Sequence, residues 1–336
     1  MLLLRKRKPK DTEYLFISTY LRCQEKNLLT AARMERMIDA PSQEEAAKVL
    51  QEIGYGEFSA TSDRELSAAL SREREKLFAD LYRYVPDQAV VDVFKVKYDY
   101  HNVKALLKAR AMGLDGNRLL VDAGRVPAER LVKAVMESAW DLLPEALATA
   151  AKEAEEVLGT TGDPQLSDFV LDRAYYAEML AAAEATRSNF LVRYVRATID
   201  AANLRSAVRT LRMRKGGEFL RKVLFEGGFV KTDSIIGAAL GGKLEEPFFS
   251  TELRAAAALG AQAAEGGSLT QFEKACDDAV TACAAKAKGV PFGVEAVIGF
   301  LVAKEIEFTA VRIIMSSRMA GIDGETIRER LREAYV

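Results

Sequence analysis

Residues 237–244, GAALGGKL, come within one residue of a phosphate-binding loop. In the pattern G-x-x-x-x-G-K-[ST], backbone N–H groups and the lysine hold phosphates, and the hydroxyl residue binds Mg²⁺. Here Leu244 replaces the hydroxyl residue, and the capping residues TDSII precede the glycines, whereas the glycines of a true loop open a helix. The spacing therefore predicts a helix that ends at Gly241 and Gly242, with Lys243 in solvent and no nucleotide site.

Two other features could do chemistry. Asp277 and Asp278 resemble the DDxxD motif with which all-helical isoprenoid synthases hold Mg²⁺, but Thr281 stands where the third aspartate is required. We therefore expect the two aspartates to lie on a solvated helix face. His101 has no cysteine or carboxylate set at ligand spacing, so a structural or surface position is expected for it. The sequence predicts no catalytic residue, no cofactor and no metal.

Composition excludes several other classes. The 336 residues carry 48 Lys and Arg against 49 Asp and Glu, so no global field would attract nucleic acid. Three cysteines argue against a disulfide framework and favour a reducing cytoplasm. An apolar run at residues 296–303 is far shorter than the roughly 20 residues of a membrane span. We expect a soluble, cytoplasmic protein whose attachment to a membrane, if any, is peripheral and passes through partners.

Helical periodicity covers almost the whole chain. Stretches such as NVKALLKARAM and LRAAAALGAQAA place apolar residues three and four apart and are rich in helix-forming residues. Clusters of Gly, Pro, Asp and Ser, such as GTTGDP and EGGS, mark turns between these stretches. The sequence predicts an all-α fold.

One stretch of this helical pattern occurs three times, at residues 98–113, 199–214 and 306–321. Aligned without gaps, these repeats share an acid (Asp99, Asp200, Glu307), an asparagine in the first two (Asn102, Asn203) and a base (Lys104, Arg205, Arg312). A long amphipathic segment precedes each copy, and a turn with a shorter helix follows the first two. The spacing fits small domains, which we predict at residues 1–113, 114–215 and 216–336. For the corresponding segments near the N-terminus we expect one helix at 24–37, with Asn27 at the asparagine position, followed by a turn and helix at 38–50.

Two roles suggest themselves for the repeated polar residues. The acid and the asparagine lie three apart on one helix face, so they can bond each other or a neighbouring helix. Arg205, Arg209 and Arg212 form a row at helical spacing. This row is either a solvated face or a docking surface for an acidic partner helix or for groups at the end of a ring, to which Lys104 and Arg312 would contribute at the equivalent positions.

The repeats and the C-terminal stretch resemble the C subunit of V-type and A-type rotary ATPases, the counterpart of the eukaryotic d subunit. The resemblance rests on VFKVKYDYHNVKALLKAR, VRATIDAANLRSAVRTLRMRKG and a C-terminal stretch that begins FGVEAVIGFLVAKEIEF and ends IRERLREAYV. It implies a funnel of three related helical domains around a pseudo-threefold axis. It also implies a non-catalytic rotor subunit, which links the central shaft subunits (D and F type) to the proteolipid ring and transmits torque.

Two other classes remain as alternatives at this stage. The aspartate pair leaves open a helical enzyme of the isoprenoid-synthase kind, although the missing third aspartate and the repeats count against it. The arginine row leaves open a helical scaffold that binds nucleic acid, although the balanced charge counts against that.

Overall fold

The prediction of an all-α fold is confirmed. A computed structural model describes residues 7–56 and 62–335, and within these ranges every regular element is a helix or a short 3₁₀ turn. The α-helices follow one another along the chain as α1 (Leu15–Gln24), α2 (Ala31–Ile38), α3 (Gln43–Glu52), α4 (Asp63–Tyr84), α5 (Ala89–Ala111), α6 (Ala128–Met136), α7 (Glu145–Thr161), α8 (Pro164–Ala185), α9 (Asn189–Arg212), α10 (Gly217–Val223), α11 (Thr232–Leu240), α12 (Arg254–Ala264), α13 (Leu269–Ala285), α14 (Val294–Met319) and α15 (Gly324–Arg330).

Side-chain caps fix where the long helices begin. Ser62, Ser188 and Ser268 each accept the backbone N–H of the residue three further on, at the starts of α4, α9 and α13. Such caps satisfy a donor that has no partner inside the helix. At the start of α8, Asp163 caps a helix whose first residue is Pro164, where the missing N–H costs nothing.

The three repeats form most of α5, α9 and α14, which we call the repeat helices. Their N-terminal halves meet: the rings of Phe94 and Tyr194 stack at 5.8 Å, and the Tyr98 hydroxyl donates to Glu305 at 2.6 Å. Lys97, which is equivalent to Glu305 in the ungapped alignment, forms an ion pair with it. The repeat helices are therefore held together near their N-terminal ends by both apolar and charged contacts.

Among the described residues, the buried apolar side chains form three cores. One draws on residues 96–171 of α5 to α8, and another on residues 201–276 of α9 to α13. The remaining core joins both ends of the chain, because residues 14–98 pack with residues 294–335. We call the groups around these cores unit 1 (α5 to α8), unit 2 (α9 to α13) and unit 3 (α14, α15 and α1 to α4). The domain boundaries, the pseudo-threefold axis and the funnel outline stay predictions.

The N-terminal segment differs from the expectation of one helix at 24–37. That stretch breaks at residues 28–30, where Leu28 is extended and Thr30 caps the separate helix α2. Asn27 lies in a 3₁₀ turn and is therefore not an equivalent of Asn102 and Asn203. The expectation was wrong because it assumed that the repeat helix of this unit is close in sequence to residues 38–50. The repeat helix is α14, which lies near the other end of the chain.

Candidate functional site

In units 1 and 2, the repeated acid holds the loop that follows its own repeat helix. Asp99 accepts the backbone N–H groups of Arg125 at 2.9 Å and Val126 at 3.1 Å, and also the Arg125 guanidinium. Asp200 accepts the N–H groups of Phe229 at 3.0 Å and Val230 at 3.2 Å. Both aspartates are buried, so these bonds replace the water that each carboxylate loses.

A glycine makes room for each of these carboxylates. A Cβ on Gly124 would overlap the Asp99 carboxylate, and a Cβ on Gly228 would overlap that of Asp200. The two loops therefore need glycine because a carboxylate approaches their backbone closely. This requirement accounts for the glycines in VDAGRV and FEGGFV, which sequence reasoning had taken only as turn signals.

The repeated asparagine binds the same loop closer to its start. Asn102 donates to the carbonyl of Val121 and accepts its N–H, both at 2.9 Å. Asn203 makes the same pair of bonds with Phe225, at 2.7 and 2.8 Å. The acid and asparagine of each repeat thus bind the loop rather than a neighbouring helix, and we call these bonds the loop clamp.

Glu307 makes the corresponding contact in unit 3, but with the N-terminal segment. It accepts the N–H of Leu29 at 2.8 Å and the hydroxyl of Tyr55 at 2.7 Å, and it pairs with Lys304. Leu29, like Val126 and Val230, directly precedes the residue at the N-cap position of a short helix. In all three units the acid therefore binds the backbone just before a short helix. In unit 3 the acid belongs to α14, and the backbone that it binds belongs to the N-terminal segment.

Burial governs the ionisation of the two aspartates. It raises the pKa of Asp200 to about 6, although the N–H groups of Val230 and Phe229 act in the opposite direction. It also raises the pKa of Asp99, against the bonds from Val126 and Arg125. Within residues 7–56 and 62–335, no guanidinium is bonded to the Asp200 carboxylate as Arg125 is to that of Asp99, so its charge is balanced mainly by backbone dipoles.

The basic residues expected to dock a partner are bonded within the chain. Lys104 pairs with Asp172, and Arg205 pairs with Asp277. Four residues further along each repeat helix, Lys108 pairs with Asp168 and Arg209 with Glu273. Arg212 donates to the carbonyl of Gly267 at 3.0 Å, and Arg312 donates to Ser67 at 3.2 Å. Each basic residue thus ties a repeat helix to another segment of its own unit; a docking role for them stays a prediction.

The near-match to a phosphate-binding loop forms the C-terminal end of α11. Gly241 ends α11, Gly242 follows in the left-handed region (φ 70°), and the Lys243 N–H caps the carbonyl of Ala238 at 2.8 Å. The predicted helix end is confirmed, and Lys243 is largely exposed beside Glu246.

The aspartate pair lies on a helix face that is only partly solvated, because both side chains have partners within the chain. Asp277 is half-buried between Arg205 and Arg332, and Asp278 accepts the N–H of Glu333 at 2.9 Å. The pair therefore anchors the C-terminal segment against α13. His101 lies at the surface of α5. In residues 7–56 and 62–335, no group of three or more His, Cys, Asp or Glu is placed to hold a metal ion. The same residues include no helix long and apolar enough to cross a membrane.

Large apolar side chains are exposed at both ends of the repeat helices, which sequence reasoning did not predict. Met112, Leu114 and Met213 follow the C-terminal ends of α5 and α9, and Met136 and Leu240 are the last residues of α6 and α11. Leu119, in the 3₁₀ turn of residues 117–119, is also exposed. Near the N-terminal ends lie Leu15, Phe16, Tyr84 and Phe292, of which Phe16 and Tyr84 have ring centroids 5.4 Å apart. Met112 and Met213 occupy equivalent positions in the alignment, which is a signal that could have indicated this surface. Exposed apolar clusters of this kind mark contact surfaces.

Three helical units, each clamped internally by its acid, and exposed apolar clusters are typical of one class: an all-helical subunit that contacts partners through its surface. The family follows from comparison with known proteins. The model of the ATP synthase (C/AC39) subunit matches residues 17–330, so the chain belongs to this family. The resemblance drawn from the three repeats is thereby confirmed, and the chain is a non-catalytic subunit of a V/A-type ATPase rather than an enzyme itself.

Relatives cover most of the chain at low identity. The C subunit of the V-type sodium ATPase of Enterococcus hirae is 25% identical across 96% of this chain and 99% of that protein. The C subunit of the A-type ATP synthase of Methanocaldococcus jannaschii is 27% identical across 95% of this chain and 86% of that protein. The C subunit of the V-type ATP synthase of Thermus thermophilus is 25% identical across 68% of this chain and 77% of its own length.

Proposed function

We propose that this chain is the central-stalk adaptor of a rotary ATPase, linking the central shaft subunits to the membrane rotor ring and transmitting torque between them. An adaptor must offer a contact surface to each of two partners. The observation that carries the proposal is the exposure of large apolar side chains near opposite ends of the repeat helices. Phe16 and Tyr84 lie near the N-terminal ends, and Met112 and Met213 directly follow the C-terminal ends of α5 and α9.

A part that transmits torque must also resist shear between its two ends. The loop clamps support this role, because each fixes a short helix to a repeat helix through a buried acid and, in two units, an asparagine. The ion pairs between α5 and α8 and between α9 and α13 add cross-links along the same helices. Such a body sits at the cytoplasmic end of the ring, attached to the membrane only through its partners.

Co-purification from solubilised membranes tests the proposal. A tagged chain expressed in its own cells is isolated after detergent extraction, and the accompanying subunits are identified by mass spectrometry. Shaft subunits and the proteolipid of the ring should both be recovered. Binding of the purified chain to the soluble shaft subunits alone, and to washed membranes that retain only the ring, should then be measurable separately. Recovery of neither partner would refute the adaptor role.

A further inference from the structure

The repeated acid has a cationic side chain bonded to it in two of the three units. In unit 1 the Arg125 guanidinium donates to Asp99 at 2.8 Å, and in unit 3 Lys304 pairs with Glu307. Asp200 of unit 2 is equally buried, at 1% exposed, and its carboxylate accepts two backbone N–H groups. No lysine or arginine of residues 7–56 and 62–335 is bonded to it.

The two arginines that precede Asp200 in α9 point to other surroundings. Arg196, one turn before it, lies over the ring of Phe229 at 6.0 Å and reaches Glu184 at 3.4 Å, so its charge acts on Asp200 through space. Arg193, two turns before it, is exposed. The acid of unit 2 is therefore buried without a cation in direct contact, at least among the residues that the structure describes.

The residue that stands in place of Arg125 accounts for this difference. Besides Asp99, Arg125 binds Glu178 of α8 at 2.7 Å, so its side chain spans the space between α5 and α8. In unit 2 that place belongs to Phe229, because its N–H, like that of Arg125, binds the repeated acid. Phe229 is 51% exposed and carries no charge.

The second partner of that arginine is also exchanged in unit 2. The ion pairs from the base of each repeat make Asp172 of α8 and Asp277 of α13 equivalent. Six residues further along each helix lie Glu178 and Cys283, so a thiol stands where unit 1 has the second carboxylate. Burial raises the pKa of the Cys283 thiol, which therefore stays uncharged at neutral pH.

A cavity of about 490 Å³ lies beside these exchanged residues. Asp200, Phe229 and Cys283 all line it. It therefore adjoins both the buried acid and the position equivalent to Glu178, between which the Arg125 side chain runs in unit 1. Its volume is in the range of sites that bind small molecules.

Two cations line the mouth of this cavity. Arg193 and Lys231 are exposed, and within the described residues neither side chain forms an ion pair. Glu252, the other acid of the cavity, is paired with Lys286. Arg193 precedes Asp200 by two helical turns, which is about 10 Å along the axis of α9. The cavity thus has an acid at its buried end and two cations at its mouth.

We propose that this cavity binds a small zwitterion, with a guanidinium or ammonium group bonded to Asp200 and a carboxylate facing Arg193 and Lys231. Amino acids with a basic side chain, such as arginine and lysine, have this arrangement of charge. Arg125 shows the contact expected at the buried end, since its guanidinium binds the equivalent acid of unit 1. The site lies within unit 2 and does not depend on the adaptor role.

The Asp200 carboxylate is able to accept such a group. The N–H groups of Phe229 and Val230 bind one to each of its oxygens, and each oxygen has a second acceptor position. Its pKa is about 6, so the carboxylate is charged at pH 7.5. A charge-assisted bond to a guanidinium or ammonium group then supplies the cation that units 1 and 3 provide from their own sequence.

Isothermal titration calorimetry on the purified full chain at pH 7.5 tests both ends of the site. L-arginine or L-lysine should bind once per chain with a Kd below about 1 mM. L-citrulline, which has an uncharged group in place of the guanidinium, should bind at least tenfold more weakly than L-arginine, and so should agmatine, which lacks the carboxylate. Absence of binding by both basic amino acids, or equal binding of L-citrulline, would overturn the proposal. Equal binding of agmatine would rule out a zwitterion.

Substitutions at one cavity position locate the binding. Phe229→Arg supplies the guanidinium from within the chain, as Arg125 does in unit 1, and should weaken L-arginine binding at least tenfold. Phe229→Met, the matched control without a charge, should change it by less than about threefold. Asp200→Asn should also weaken binding at least tenfold, and melting temperatures show which variants fold. If Phe229→Arg folds and binds L-arginine as the wild type does, or if both Phe229 variants lose binding equally, the site is not beside Asp200.

Discussion

Alanine at Gly228 should displace the acid that clamps the loop of unit 2. An added Cβ would overlap the Asp200 carboxylate, so either the carboxylate or the loop must move. Gly228 is not among the glycines with positive φ, and alanine therefore tolerates its backbone conformation. The effect of the substitution thus reports on the clamp rather than on backbone strain.

The size of the effect follows from the bonds that are lost. Asp200 accepts two backbone N–H groups, at 3.0 and 3.2 Å, and it is buried. A hydrogen bond to a charged group contributes about 1.5–3 kcal/mol, so Gly228→Ala should lower the free energy of unfolding by about 3 kcal/mol. Gly124→Ala should cost at least as much, because Asp99 also binds the Arg125 guanidinium.

Urea unfolding followed by circular dichroism measures the loss as a lower midpoint. Gly159, in α7, has no atom within 4 Å of an added Cβ and provides the matched control. Gly159→Ala should leave stability unchanged or raise it by up to about 1 kcal/mol, as expected for glycine in a helix. If the clamp is the cause, Gly228→Ala should cost little in a chain that already carries Asp200→Ala. A wild-type midpoint for Gly228→Ala, or an unchanged cost in the Asp200→Ala background, would refute this reasoning.

Three further predictions concern Asp200, Glu307 and Lys243. Because burial raises the pKa of Asp200 to about 6, the folded chain binds its proton more tightly than the unfolded chain, and this proton-linked part of the stability is fully present below the unfolded pKa of 3.8 and is lost as pH rises through 6. Relative to Asp200→Asn, the wild type should therefore lose up to about 3 kcal/mol of unfolding free energy between pH 4 and pH 7.5, and a constant difference in urea titrations would contradict this. Glu307→Ala should cost about 2–4 kcal/mol by leaving the Leu29 N–H and the Tyr55 hydroxyl without this acceptor, and hydrogen exchange should rise first in residues 28–38; unchanged exchange there would count against closure of unit 3 by this residue. Lys243→Ala should change stability by less than about 0.5 kcal/mol and should not alter any heat on titration with Mg-ATP, whereas loss of a stoichiometric heat would restore a nucleotide site.

The helical class and the repeats could be predicted because both depend on residues close together in sequence. Periodicity identified α5, α9 and α14, and the ungapped alignment placed Asp99, Asp200 and Glu307 at one structural position. The partner of Glu307 could not be predicted in the same way, since 278 residues separate it from Leu29. The sequence of residues 24–50 therefore suggested a complete unit, although the repeat helix of that unit is α14, near the C-terminal end.

The arginine row shows a different difficulty. The spacing correctly predicted that the arginines share one face of a helix. The sequence of that helix alone, however, does not distinguish arginines exposed to solvent from arginines paired with acids on a neighbouring helix. The discriminating signal was in the second segment: Asp168 and Asp172, like Glu273 and Asp277, are four apart, as are Lys108 and Lys104. Acids and bases at matching intervals on two helices that run antiparallel predict a ladder of ion pairs between them. Reading the two helices together would have assigned Arg205 and Arg209 to contacts within a unit.

The positions of the clamps also explain where the units have diverged. In units 1 and 2 the asparagine and the acid bind loop residues that are five positions apart. These residues are Val121 and Val126 in unit 1, and Phe225 and Val230 in unit 2. The difference in length lies entirely between the end of the repeat helix and the first of these points. A segment bounded by two fixed ends can lose or gain a helical turn without disturbing the core on either side, because the clamp, not the segment, sets the position of the next helix. Change at this site therefore costs the fold little.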